Sequence, residues 1–316
     1  MKVLFITSTR IGDAVLSTAL LSHLSTNHPE AEFTVACGPV AAPLFSETPH
    51  VVKIIALEKR RASLHWFDLW LACCTSYWDL VVDLRASALS YFLMTRRRMV
   101  WRNNNSAEHR LVSLAGLAGL GETPAPQLWT SAAQRDAAEK LLPGDKPILA
   151  LGPTANWPGK QWPGERFAEL ALRLTAEDGI LPGAWIVILG AASERREAAT
   201  AIEALPIERV IDLVGRLDLL TASALLARAG LYIGNDSGLM HIAAASGAPT
   251  LGLFGPSKEA HYAPWGPHTA VVRTALGYDD LVGGPGYDHR TTGSLMESLS
   301  VDMAEDGARK LWAKIA

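Results

Sequence analysis

The chain has 316 residues, 49% of them apolar and 19% charged, with 29 Lys and Arg against 32 Asp and Glu for a formal net charge of −3. This composition excludes a disordered tail and a small disulfide-stapled scaffold, and no overall basic charge recommends nucleic acid as the partner. The three cysteines, Cys37, Cys73 and Cys74, lack CxxC spacing and fit a reduced, cytosolic compartment.

Taken in chain order, Lys2 to Thr7 is an apolar run that suits a buried parallel strand. It is too short for the core of a signal peptide, and Arg10 and Asp13 follow at once. No later run reaches the ~18 apolar residues of a spanning helix. The turn Ser8–Asp13 leads into a helical pattern with Val15, Leu16, Ala19, Leu20 and Leu24 on one face. Strands are expected at Phe33–Cys37, Val51–Ala56, Leu80–Val82 and Met99–Trp101, and helices at Ala107–Leu117 and Ala132–Leu142. The breaker cluster Leu142-Pro143-Gly144-Asp145-Lys146-Pro147 then reads as a linker.

After it the rhythm restarts. Strands are expected at Ile148–Leu151, Trp185–Leu189, Val210–Leu213, Leu231–Ile233 and Thr250–Phe254. Between them fall helices at Gly164–Thr175, Glu194–Ala204, Leu219–Ala229 and Gly238–Ser246. Ala275 to Thr292 reads as a long Gly-rich loop, and a last helix spans about Val301 to Ile315. Strands separated by helices, twice over, predict two doubly wound α/β domains, 1–146 and 147–316, with a last helix that could pack back on the first.

Charge is unevenly spread. Residues 1–147 hold 15 basic and 13 acidic side chains, and residues 148–316 hold 14 and 19. Within 59–110 the count is nine basic to four acidic, including Lys59-Arg60-Arg61 and Arg96-Arg97-Arg98. Such runs are either solvated surface or an electropositive patch for an anionic partner. Trp66, Trp70 and Trp78 flank the stretch, as packing or as contacts for an amphiphilic acceptor.

Three loops carry candidate chemistry. Asp13 follows a strand and a Gly turn, either as a first-turn carboxylate supporting a helix or as a base at the ligand-binding end of a sheet. Gly234-Asn235-Asp236-Ser237-Gly238-Leu239-Met240-His241 joins a strand to a helix. The free amides at Ser237, Gly238 and Leu239 suit a diphosphate, and His241, one turn on, can add a donor or remain a core histidine. The loop Gly152–Pro163 contains Lys160 but not the Walker spacing, so its lysine is either surface or a diphosphate contact. GxGxxG, HExxH, GxSxG and Cys/His zinc spacings are absent, and nothing demands a metal.

Together, Ile11-Gly12-Asp13, Gly159-Lys160-Gln161-Trp162-Pro163, Asn235 to Ala245, Gly247-Ala248-Pro249-Thr250 and Leu253-Phe254-Gly255-Pro256-Ser257 resemble glycosyltransferase family 9, the ADP-heptose:lipopolysaccharide heptosyltransferases. The resemblance runs from Met1 to about Ala316. It implies a GT-B fold, two facing Rossmann-like domains with a cleft between them, the acceptor on the first and the nucleotide-sugar donor on the second. It implies an inverting, metal-independent transfer from ADP-L-glycero-β-D-manno-heptose to the inner core of lipopolysaccharide, with no cofactor. Asp13 matches the family's proposed general base, Lys160 its diphosphate lysine, Asp236 the carboxylate at the heptose, Ser237 and Gly238 the phosphate pair, and His241 the histidine beside them. A ribose-binding carboxylate falls on Glu194 or Glu197. Where one branch has two threonines before the lysine, this chain has Ala155 and Asn156, so Asn156 or Thr154 must serve. No cysteine stands between Gly277 and Ser300, where many members carry several.

If the acceptor is anionic and lipid-linked, the basic stretch makes Lys59, Arg60, Arg61 and Arg110 the expected acceptor contacts, with Arg96–Arg98 expected to hold the protein at the cytosolic face of the inner membrane. Two other readings stay open: a related enzyme using another nucleotide sugar, and a non-catalytic sugar-nucleotide-binding protein that keeps the anion site but needs no base at Asp13.

Overall fold

The computed structural model describes residues 1–102, 107–144, 146–284, 287–288 and 291–315. The chain divides into two compact units, Met1–Ser131 and Ala132–Ala316.

The first unit runs β1 (Lys2–Ile6), α1 (Ile11–Asn27), β2 (Glu32–Cys37), β3 (Val51–Ala56), α2 (His65–Cys73), β4 (Trp78–Asp83), β5 (Thr95–Val100) and α3 (Arg110–Ala118). Its strands form a parallel sheet in the order β3-β2-β1-β4-β5. Central β1 is buried from Val3 to Ile6, as expected for a parallel strand covered on both faces. Its last residue, Ile6, stands opposite Ala36 of β2 and Asp83 of β4. The strand order reverses between β1 and β4, so the loops after these two strands flank the crevice where open α/β sheets bind ligands.

Two elements differ from the sequence expectation. Helix α2 was not anticipated, because it has no polar face. Leu69 and Cys73 point into the core beside Leu4, Leu57 and Val81, while Phe67 and Leu71 point outward. Strand β5 starts four residues before the expected Met99, so Arg96-Arg97-Arg98 is sheet edge rather than loop. An edge strand tolerates such charges, since its outer side faces water.

The second unit runs α4 (Ala132–Lys140), β6 (Ile148–Gly152), α5 (Gly164–Leu174), β7 (Trp185–Ile188), α6 (Arg195–Glu203), β8 (Val210–Asp212) and α7 (Leu219–Leu226). It continues with β9 (Leu231–Asn235), α8 (Gly238–Ala245), β10 (Thr250–Phe254), α9 (Glu259–Tyr262), β11 (Thr269–Arg273), α10 (Tyr278–Val282) and α11 (Val301–Trp312). Its six parallel strands take the order β11-β10-β9-β6-β7-β8. Counted from β6, that is the arrangement of a dinucleotide-binding Rossmann sheet, with its switch point between β6 and β9.

Helix α4 packs on α7, with Glu139 3.7 Å from Arg228, so the compact second unit begins ahead of the breaker cluster. Asp145 of that cluster lies outside the described residues. The segment read as one loop, 275–292, contains α10, and β11 was not anticipated either. The last helix shows clean amphipathic spacing: Val301, Ala304, Ala308 and Leu311 are buried, and α11 packs on α5, β10 and β11. Arg173 of α5 fastens it by ion pairs to Asp302 at 2.7 Å and Glu305 at 3.0 Å.

Candidate functional site

In the first unit, Asp13 sits on the loop side of the switch point, in the first turn of α1. Arg10, not Asp13, is the N-cap, so the carboxylate does not close the helix. It is half-buried, with the Ser8 hydroxyl 3.5 Å from Oδ2. Gly38, after β2, keeps this loop in place. A Cβ there would fall 2.6 Å from the Cα of Thr9, so only glycine lets the two loops touch without displacement.

Across the crevice, the loop after β4 is organised by Asp83, which is fully buried. Its carboxylate accepts from the Arg85 amide at 2.9 Å, the Ser87 amide at 2.9 Å and the Ser87 hydroxyl at 2.6 Å. The turn forces Ala86 into left-handed backbone at φ 51°, a conformation that costs a non-glycine residue roughly 1–3 kcal/mol. It leaves the Arg85 guanidinium 5.9 Å from the centre of the Trp66 ring. Neither Asp83 nor Arg85 was singled out in the sequence.

The predicted acceptor residues share the C-terminal rim of this sheet but not one spot on it. Lys59, Arg60 and Arg61 follow β3 and are exposed, Arg60 pairing with Asp68 at 2.6 Å. Arg110 opens α3, after β5, with its guanidinium 3.8 Å over the Trp101 ring. Strands β3 and β5 are the opposite edges of the sheet, so four strand spacings separate the two groups, on the order of 20 Å. Asp13 and Arg85 lie between them.

The second unit brings its predicted residues together more closely. Lys160 ends a single 3₁₀ turn, Pro158–Lys160, in the loop after β6. Its Nζ lies 2.5 Å from Oδ2 of Asp236 in the loop after β9, with the side chains 24% and 7% exposed. The pair therefore bridges the switch point. Gly159 is required by the Trp157 ring, which would come within 2.5 Å of a Cβ. Trp162 Nε1 donates to the Leu299 carbonyl at 2.9 Å, tying the lysine loop to the chain before α11.

Asn235, wholly buried at the end of β9, accepts from the Trp162 amide at 3.1 Å and donates to the Pro153 carbonyl at 2.9 Å. One side chain thus holds both ends of the lysine loop against the strand that carries Asp236. The sequence contained Asn235 within the motif, but its partners, more than seventy residues upstream, carried no local signal.

Of the two ribose candidates, Glu194 and Glu197, only the first is bonded to the loop after β6. Glu194 Oε2 accepts from the Thr154 hydroxyl at 2.8 Å and the Ala191 amide at 3.0 Å, whereas Glu197 is exposed on α6. Thr154 is buried and Asn156 exposed, so of the two it is Thr154 that is built into the loop, through its bond to Glu194. Gly190 lies against both partners, 3.2 Å from Thr154 Oγ1 and 3.6 Å from Glu194 Oε2 to an imagined Cβ.

Ser237 is the N-cap of α8 in extended backbone, yet its side chain makes no capping bond. The amides of the first turn, around Gly238, point to the same end of the sheet as Lys160 and present the positive end of the helix dipole. His241 is buried on α8, one turn further along. The cysteines take no part: burial pushes the Cys37 thiol up to about 12 and the Cys73 thiol up to about 11, so neither is a thiolate at neutral pH. Among the described residues, no group of three or more His, Cys, Asp or Glu side chains could hold a metal ion.

Two Rossmann-like units, the second with an ammonium, a helix N-terminus and a carboxylate at its switch point, define a GT-B fold. Residues 84–281, more than half of the chain, match the profile of Glycosyltransferase family 9 (heptosyltransferase), and the chain belongs to that family. It is 28% identical to lipopolysaccharide heptosyltransferase 2 of Salmonella typhimurium, over 97% of this chain and 100% of that one. Two solved structures share the fold. One is the E. coli ADP-heptose lps heptosyltransferase II, with TM-score 0.77, 23% identity, and 100% and 99% of the two chains covered. The other is a family 9 glycosyltransferase from Veillonella parvula, with TM-score 0.81, 19% identity, and 99% and 97% covered.

Proposed function

We propose that this glycosyltransferase is an inverting, metal-independent heptosyltransferase that moves heptose from ADP-L-glycero-β-D-manno-heptose to an anionic, lipid-linked inner-core acceptor of lipopolysaccharide, at the cytosolic face of the inner membrane. The observation that carries the reading is the Lys160–Asp236 pair at the switch point of a Rossmann sheet, beside the Thr154–Glu194 pair. Lys160, the α8 amides at Ser237 and Gly238, and His241 receive the diphosphate; Glu194, held by Thr154, receives the ribose; and Asp236 meets the sugar. When the glycosidic bond breaks, negative charge grows on the departing ADP, and a preplaced ammonium and helix N-terminus stabilise that charge more than they stabilise the intact donor.

Inversion needs an acceptor hydroxyl to arrive on the face opposite the departing ADP. Asp13 takes its proton, from the first-unit loop at the other switch point. Lys59, Arg60, Arg61 and Arg110 then bind the negative groups of the acceptor, Arg being suited to carboxylate or phosphate in bidentate contact.

The test is incubation of the purified protein with a core acceptor and, separately, with ADP-heptose, ADP-glucose, and UDP- and GDP-sugars, following release of free nucleotide. Acceptor-dependent ADP release from ADP-heptose alone is the expected result. Turnover of a different donor would keep the enzyme and change the sugar. Binding of ADP-heptose without turnover on any acceptor would leave a sugar-nucleotide-binding protein.

A further inference from the structure

The α2 side of the first unit carries an apolar surface that the proposed transfer chemistry does not use. On and just before α2, Leu64, Phe67 and Leu71 are spaced three and four residues apart, which puts them on one helix face, and all three are exposed. Phe67 is 54% exposed and stacks on Trp70 with ring centres 5.7 Å apart. Trp70 in turn donates from Nε1 to the Phe92 carbonyl at 3.1 Å, which docks the 88–94 segment against α2. That segment adds Tyr91, Phe92 and Met94, with Phe92 72% exposed. Six of the fourteen large apolar side chains exposed among the described residues therefore gather on this one side of one unit, where scattered single residues would need no explanation.

Charge surrounds the patch. Lys59, Arg60 and Arg61 precede α2, and Arg96 and Arg97 follow Met94 on the edge strand β5; all five are exposed. The carboxylate nearest the helix face, Asp68, is already paired with Arg60. Arg98 is different. Its guanidinium is spent on the carbonyls of Ser90, at 2.7 Å, and Leu93, at 2.8 Å, where it shapes the segment that presents Phe92. The arginine run thus divides into one residue that builds the surface and two that face outward.

From this we infer that the α2 face, with the 88–94 segment, is a membrane-docking surface that seats its aromatic and aliphatic side chains at the headgroup boundary of an anionic lipid bilayer. An aromatic and aliphatic face bordered by exposed Lys and Arg matches such an interface on both counts: ring and alkyl groups enter the acyl boundary while cations stay with the phosphates. A protein partner of ordinary composition has no reason to require basic flanks on both sides. Among the described residues no helix is long and apolar enough to cross a membrane, so the attachment is to the surface. The inference rests on the proposed lipid-linked acceptor for its purpose, but its test does not.

The test is flotation of the full chain with vesicles of equal parts phosphatidylcholine and phosphatidylglycerol, and with vesicles of phosphatidylcholine alone. The variants are Phe67→Ser with Phe92→Ser, and Arg96→Gln with Arg97→Gln; these side chains are exposed, so folding is expected to survive and circular dichroism checks it. The expected result is binding to the anionic vesicles, reduced about tenfold or more by either double variant. A blue shift of the emission summed over the chain's ten tryptophans, Trp70 among them, should accompany binding and be lost with binding in the aromatic variant. Vesicle binding unchanged in both variants overturns the proposal. So does a wild-type oligomer that the aromatic variant dissolves without affecting vesicle binding, since the face would then join copies of the chain. Transfer to a delipidated acceptor should be unchanged in the aromatic variant, which separates failure of the docking surface from failure of the enzymatic reading.

Discussion

The ammonium of Lys160 stands 2.5 Å from the Asp236 carboxylate, and the two come from loops on opposite sides of the strand-order reversal in the second sheet. The pair fixes a flexible side chain at the strand-order reversal, where open α/β sheets bind ligands. A partly buried ion pair adds little net stability, but removal of one member leaves the other's charge poorly solvated. Asp236 is the more buried partner, so the lysine side of the pair is the informative one to remove.

Lys160→Ala should weaken ADP binding by about tenfold or more and slow transfer by a larger factor, because the charge it meets grows as ADP departs. It should also cost about 1–3 kcal/mol of stability, from the carboxylate left without its cation. Calorimetric titration with ADP, single-turnover transfer and chemical denaturation measure the three effects. Unchanged ADP affinity together with unchanged turnover would return Lys160 to an ordinary surface lysine.

The two glutamates of the 194–197 segment should behave oppositely. Glu194→Ala removes the acceptor of the Thr154 hydroxyl and the Ala191 amide, whereas Glu197→Ala removes an exposed side chain. ADP affinity should fall about tenfold in the first and stay within twofold in the second, the scale of one or two hydrogen bonds. Adenine alone, lacking ribose, should bind both variants equally.

Asn235→Ala should be the most damaging single change at the site. It strands the Trp162 amide and the Pro153 carbonyl, and an unsatisfied buried group costs about 1–3 kcal/mol. Both ends of the lysine loop would loosen, so the variant should lose about 2–5 kcal/mol of stability and weaken ADP binding although Asn235 need not touch the ligand. Asn235→Asp is a sharper test, since it keeps the acceptor to Trp162 but sets a buried carboxylate oxygen against the Pro153 carbonyl. It should melt below wild type at neutral pH and recover as acid protonates the carboxyl and restores a donor.

What could be read from the sequence follows the range of the interactions concerned. The strands and helices around Lys160 and Asp236 were legible because each buried strand is a compact apolar run and each helix, such as Val301 to Leu311, carries its own spacing. Helix α2 was not, because Leu69 and Cys73 inside and Phe67 and Leu71 outside leave no polar side to set a period. Strand β11 was missed because Thr269–Arg273 is a half-buried edge with no alternation. That Glu194 rather than Glu197 meets Thr154, forty residues away, is a contact that local pattern could not supply.

Helix α7 offers a pH test of the scaffold. Asp218 is its N-cap and accepts from the Leu220 and Thr221 amides and the Thr221 hydroxyl. Burial alone would raise its carboxyl, but these hydrogen bonds outweigh it and hold the group below its ordinary value of 3.8. A depressed folded value means stability that is present above the unfolded value and lost as pH falls through the folded one. Asp218→Ala should therefore cost about 0.5–2 kcal/mol near neutral pH. The gap to wild type should shrink as the pH drops below that ordinary value, because only the wild type has a proton to take up. Urea denaturation at neutral and strongly acidic pH measures it, and a constant gap would mean that the cap acts through shape rather than charge.

Asp13 carries the last prediction. It lies in the first turn of α1 without capping it, is half-buried, and has the Ser8 hydroxyl 3.5 Å away as its nearest polar neighbour across the turn. Replacing it by Asn preserves size and removes the charge, so the helix should lose only the first-turn dipole interaction, about 0.3–1 kcal/mol. The donor groups Lys160, Glu194 and Asp236 belong to loops of the other compact unit, so ADP affinity should be unchanged. If the carboxylate takes the acceptor proton, kcat should fall by ~10²–10⁴-fold while the KM for the acceptor changes little, a split that a merely structural carboxylate would not produce. ADP affinity that fell in parallel with turnover would make Asp13 a donor contact, and the proton would then need a different acceptor on the same rim, where Asp83 is unsuitable because its oxygens are already committed to Arg85 and Ser87.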